Sequence, residues 1–200
     1  MRKAIIGISL AGLLVVGLFF GLAVRNNQKE AELFLQKSKE LKVGSSTYEE
    51  AKSFLNSNDK HLQYSRPCSA NDCEVVFEFR NSWMRALRLA PGTSFGGRLI
   101  FRDGVLALRY MHLGQGVCCV NIVTEGRELE PGALEDQLSK DFSKSLQRDE
   151  SGQPWHAYVL LSPKATPEQR QEAYSFDLSC LSKLGGCKNA AELAPGVWRN

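Results

Sequence analysis

No charged residue and no side-chain amide occurs in residues 4–24, no cysteine precedes Cys68, and no basic run interleaved with aromatic residues appears anywhere in the 200-residue chain. The first absence leaves an apolar segment that, as a helix, is roughly 31 Å long and matches the hydrocarbon thickness of a bilayer. It is too continuous for an amphipathic surface helix, which needs a polar face. The second absence leaves no acceptor for an N-terminal lipid. The third argues against nucleic acid as a partner. Two of the 25 basic residues, Arg2 and Lys3, precede the apolar segment, leaving 23 against 22 acidic ones, so the rest of the chain is close to neutral.

Catalytic signatures are also missing. The chain has no Gly-x-Ser-x-Gly, no His-Glu-x-x-His and no phosphate-binding glycine loop. Ser57-Asn58-Asp59-Lys60 has Ser-x-x-Lys spacing without either companion motif of the penicillin-recognising enzymes, and reads as a polar turn after a helix. Cys118 or Cys119 with His112 or His156 would supply a nucleophile and a base, but nothing in the sequence positions them. No Cys-x-x-Cys occurs and the histidines His61, His112 and His156 are scattered, which speaks against a redox motif and against a metal site. No catalytic, cofactor-binding or metal-ligating residue is assigned. Trp83, with Asn81, Arg85, Arg88 and Phe95, is a candidate lining for a ligand groove.

What is present begins with six cysteines, all downstream of the apolar segment. An even number in such a chain suggests an oxidising compartment. Proximity favours Cys68 with Cys73 and Cys180 with Cys187, each closing a loop of about six to eight residues and restricting the unfolded chain by roughly 2 to 2.5 kcal/mol. Cys118-Cys119 is adjacent on an expected strand, so the two side chains should point to opposite faces, one of them buried or each with its own partner, with a bond between the neighbours, which needs a strained backbone, as the lesser alternative. The basic residues flanking the apolar segment lie on both sides and do not fix its direction. The cysteines place residues 26–200 outside the cytoplasm.

Residues 1–25 are therefore expected to form a transmembrane anchor, with a cleaved signal peptide as the rival, and residues 26–200 one extracytoplasmic domain. Gly17-x-x-x-Gly21 has the spacing of a helix-dimerisation face. After the anchor, residues 28–42 carry Ala31, Phe34, Leu35, Ser38 and Leu41 on one side of a helix. Gly44 stops it, and Ser46 with Glu49 or Thr47 with Glu50 fits a capping box for a second helix carrying Tyr48, Ala51 and Leu55 inward. Alternation predicts a strand over residues 74–80, and Asp103-Gly104 between two apolar runs predicts an antiparallel hairpin of residues 98–102 with 105–111. Residues 117–124 and 156–161 read as further strands, and residues 133–146 as a helix or an excursion. Thr166-Pro167-Glu168-Gln169 opens a C-terminal helix. The fold class is α+β: an N-terminal transmembrane helix, two helices, an antiparallel sheet and short C-terminal helices, with the helices on one face of the sheet.

Leu41 to Ala51, ending the first helix and opening the second, resembles the helix-entry motif of the SmpA/OmlA family, small envelope lipoproteins that assist outer-membrane barrel assembly. The resemblance covers about 25 residues. It implies the order helix, helix, antiparallel strands. The chain departs from the family in lacking a lipid-acceptor cysteine, in its longer sheet region and in its six cysteines. As a whole it resembles uncharacterised single-pass bacterial envelope proteins. No residue role is carried over.

The expectation is a membrane-anchored binding or scaffold protein of the cell envelope or periplasm. Its partners would be membrane lipid through residues 4–24 and another envelope protein or the cell wall. The alternative is an envelope hydrolase or thiol enzyme with an unrecognised site.

Overall fold

The computed structural model describes residues 2–64, 68–69, 71–116, 118–126 and 141–199. A mixed sheet of seven strands carries helices on one face. The helices are α1 (Arg2–Glu40), α2 (Tyr48–Asn56), α3 (Ser82–Ala86), α4 (Pro167–Ala173) and α5 (Ala190–Leu193). The strands are β1 (Leu62–Tyr64), β2 (Asp72–Arg80), β3 (Thr93–Arg102), β4 (Val105–Gln115), β5 (Cys119–Gly126), β6 (Phe142–Arg148) and β7 (Pro154–Leu161). They lie in the order β1-β2-β3-β4-β5-β7-β6.

The transmembrane helix expected over residues 4–24 is not found. Among the described residues no helix is long and apolar enough to cross a membrane. The apolar segment is not an element of its own: α1 continues from Arg2 to Glu40 through Arg25, Asn26, Asn27 and Gln28, side chains that a hydrocarbon core does not accept. The helix expected over residues 28–42 is the last part of this one element. There α1 lays Ala31, Phe34, Leu35 and Ser38 on the sheet.

The two tight connections form as their residues require. Thr47 accepts from the Glu50 amide at 3.3 Å while the Glu50 carboxylate accepts from the Thr47 amide at 3.1 Å, which starts α2. Thr166 and Gln169 repeat the arrangement at α4 with Pro167 in its first turn. Between β3 and β4, Asp103 and Gly104 both take positive φ, 52° and 79°, the pair of angles a two-residue hairpin turn needs.

The sheet departs from the antiparallel expectation at one pair. β5 and β7 run parallel, with Val120 opposite His156 and Val123 opposite Val159. β6 then lies outside β7 and antiparallel to it. Residues 142–146, read as the end of a helix, are strand; the rest of that expected helix, up to residue 140, lies outside the described residues. Phe142, Lys144 and Leu146 alternate with Ser143 and Ser145 on a mostly polar edge, where a helical reading and a strand reading of the sequence are equally available.

The inner face of the sheet is aromatic where α1 crosses it. Phe34 sits 4.4 Å from Phe77 and 5.3 Å from Phe79, centroid to centroid, and Phe95 joins them at 5.5 Å from Phe77. The irregular C-terminal stretch is held differently, by polar side chains that reach from the sheet to its backbone. Asn81 donates to the Leu181 carbonyl at 2.9 Å and Asn121 to the Ala190 carbonyl at 2.8 Å. Gln115 donates to the Cys187 carbonyl and accepts from the Cys187 amide at 2.7 Å. A stretch with few backbone partners of its own needs such donors, because a buried unpaired carbonyl costs about 1 to 3 kcal/mol.

Candidate functional site

A cleft of about 690 Å³ opens on the described surface. Three segments distant in sequence form it. α1 contributes Gly17, Gly21, Val24 and Gln28; the turn after α3 contributes Leu87 and Leu89; the loop before Cys187 contributes Leu184. On α1 the lining residues 17, 21, 24 and 28 continue as the buried Ala31, Leu35 and Ser38, in steps of four and three. That spacing is one stripe along a helix. Its second half is covered by the sheet, and its first half faces the cleft.

Gly17 and Gly21 leave open space on the α1 side of the cleft. A methyl group placed on either would meet nothing within 4 Å. Their spacing suggested a close helix contact; among the described residues nothing packs against them.

The loops of the cleft are fixed. Leu89 and Ala90 both direct their amides at the Met84 carbonyl, at 2.9 and 3.3 Å, and the Gly185 amide donates to the Leu89 carbonyl at 2.9 Å, which ties one loop to the other. Ser182 hydrogen-bonds Gln28, tying the second loop to α1. Cys180 and Cys187 form a disulfide across that loop, with Cα atoms 5.4 Å apart. Gly185 and Gly186, at φ 76° and 71°, supply the left-handed turn that carries Leu184 outward.

The other cysteines are bonded as well. Cys68 pairs with Cys73 at the start of β2, Cα atoms 4.4 Å apart. Cys118 pairs with its neighbour Cys119, against the expectation of separate roles. The reason is that Cys118 precedes β5 in a turn, so the alternation that would separate the two side chains does not apply to it. Among the described residues no cysteine is free.

This removes the nucleophile from the arrangement of His112 with Cys119. Both residues line a second cavity of about 330 Å³ beside Arg80 and Arg85, yet the sulfur is in a disulfide. His112 is mostly buried, and burial pulls its pKa below the ordinary imidazole value, with Glu78 acting the other way. His156 stands on β7 and stacks on Trp155 at 4.2 Å, outside that cavity. Ser57 donates to the Phe54 carbonyl at 2.8 Å and Lys60 pairs with Glu30 at 2.8 Å, so the Ser-x-x-Lys residues finish a helix and brace α1. Of the groove read around Trp83, Phe95 and Asn81 are buried in the domain while Arg85 and Arg88 are exposed; the Trp83 side chain lies outside the described residues. Among the described residues no three His, Cys, Asp or Glu side chains lie close enough to share a metal ion.

The sequence reading missed a buried charge cluster. Arg109 on β4 and Glu125 on β5 are directly opposite in the register, 3.7 Å apart and both within 1 % of full burial. Arg170 of α4 pairs with Glu125, and the Tyr174 hydroxyl donates to it at 2.9 Å. Arg109 also donates to the Leu41 carbonyl just past α1, placing a cation at the negative end of that helix. Desolvation pulls the Arg109 pKa down and pushes the Tyr174 pKa up. The cluster joins α1, β4, β5 and α4. Charges of opposite sign on two neighbouring apolar strands were the available signal.

No family model, curated protein or solved structure matches the chain.

Proposed function

We propose that this protein is a binding or scaffold protein of the cell envelope that works in an oxidising, extracytoplasmic compartment and performs no catalysis of its own. The observation that carries the reading is the cleft: its lining is mostly apolar, its loops are held in place by hydrogen bonds and a disulfide, and of its polar residues Arg25, Gln28 and Ser182 the last two are bonded to each other. A surface of that kind recognises by shape and burial rather than by chemistry. The bonded cysteines support the compartment, since disulfides persist where thiols are not kept reduced.

Peptide mapping without reduction, after labelling thiols in intact cells, tests both parts. The expected result is three cross-linked peptide pairs, no labelled cysteine, and a purified protein that leaves ester, peptide and glycoside substrates intact. Six labelled thiols would contradict the compartment. Hydrolysis abolished by His112→Ala would establish the enzyme instead.

A further inference from the structure

Three leucines of the cleft are left in solvent, Leu87 at 50 % exposure, Leu89 at 46 % and Leu184 at 71 %, and Leu22, 61 % exposed, lines a neighbouring hollow with Arg25 and Lys29. Exposed leucines scattered singly need no explanation, but three of them on two loops of one cleft, with Leu22 on the helix beside it, form a patch. The charges carried by the segments themselves are of one sign. Residues 17–29, 82–92 and 182–188 contain Arg25, Lys29, Arg85, Arg88, Lys183 and Lys188 and no aspartate or glutamate.

Elsewhere most of the cations are paired, Lys39, Lys42, Arg148, Lys164 and Arg199 being the exceptions among the described residues. Lys37 meets Glu40, Lys52 meets Glu49, Arg80 meets Glu78, Arg102 meets Asp72 and Lys144 meets Glu172. At the cleft, Lys183 pairs with Glu192, whereas Arg25, Lys29, Arg85 and Arg88 form no ion pair among the described residues. Arg88 stands between two of the exposed leucines with φ 54°, a left-handed conformation uncommon outside glycine. The turn is fixed with its leucines and its arginine outward.

We infer that this patch is the surface on which the domain rests against a membrane leaflet rich in anionic lipid. The leucines enter the boundary between headgroups and acyl chains, and Arg25, Lys29, Arg85 and Arg88 meet the lipid phosphates; the domain lies on the surface by these loops. Lipid fits better than the other occupants. A second copy would bring the same cations against one another, a like-charge arrangement that opposes pairing. A small apolar ligand would fill the cleft but leave the outer leucines in water. The inference rests on the envelope reading above; six free thiols would defeat that reading and leave the vesicle experiment unaffected.

Hydrogen exchange followed residue by residue on the full chain is the test, because it reads the two loops separately from the rest of α1. The probe is vesicles of 30 % phosphatidylglycerol in phosphatidylcholine, with pure phosphatidylcholine vesicles as comparison. Amides of residues 84–90 and 182–186 should slow by roughly tenfold or more with the anionic vesicles and far less with the neutral ones. Arg85→Glu with Arg88→Glu should abolish the slowing, and Leu87→Ser with Leu184→Ser should weaken it, while both variants unfold at the same temperature as the parent.

Unchanged exchange in those loops would overturn the inference. So would equal slowing by both vesicles, or slowing that grows with protein concentration in the absence of lipid, which would assign the patch to a second copy.

Discussion

The two halves of the stripe along α1 differ in what covers them. Ala31, Phe34, Leu35 and Ser38 are closed off by β2 and its neighbours, and Phe34 alone touches three other phenylalanines. Gly17, Gly21 and Val24 line an open cleft. The covered half includes Phe34 and Leu35, which fill space, and the open half includes Gly17 and Gly21, which leave it. Folding accounts for the first half and gives no reason for the second. What differs between the halves is whether the surface meets the chain itself or something outside it.

The comparison breaks most visibly at Phe34. Replacing it with alanine should cost about 3 to 5 kcal/mol, read from denaturant unfolding, because the ring is fully buried among its neighbours. Arg109→Met should cost about 3 kcal/mol in the same measurement, since it leaves Glu125 buried with one cation fewer and takes a donor from the end of α1. A smaller effect belongs to His112. Its pKa is depressed by burial, so the folded state resists the proton that the unfolded chain takes up near pH 6.5. Stability should therefore be full above about pH 6.5 and decline as the pH falls toward the folded pKa, and His112→Gln should remove that part of the decline. Urea midpoints measured between pH 7.5 and 5.5 would check it. At the open half the sign reverses: Gly21→Ala should stabilise by about 0.5 to 1 kcal/mol, because a helical glycine is replaced where the added methyl meets nothing.

Much of the fold is legible wherever the signal is local. Asp103-Gly104 specifies its own turn, Thr47 with Glu50 specifies a helix start, and Cys180 is close enough in sequence to Cys187 for proximity to select the bond. The hidden parts are those made by residues far apart in the chain. The parallel pairing of β5 with β7 skips β6, and no periodicity reports which strand a neighbour will be. Arg109 and Glu125 reveal themselves only once β4 and β5 are in register. The cleft needs residues near 21, 87 and 184 together. The apolar residues 4–24 depart furthest from expectation: the helix they begin runs on to Glu40, and among the described residues no helix is long and apolar enough to cross a membrane.

The most direct test pairs two readings on one protein, the variant Leu87→Ser with Leu184→Ser. Both leucines are exposed, so the account predicts an unfolding free energy within about 0.5 kcal/mol of the parent together with weakened exchange protection by anionic vesicles. A fall in stability of about 2 kcal/mol, or protection undiminished by both substitutions, would show that the exposed leucines of the cleft are not a binding surface.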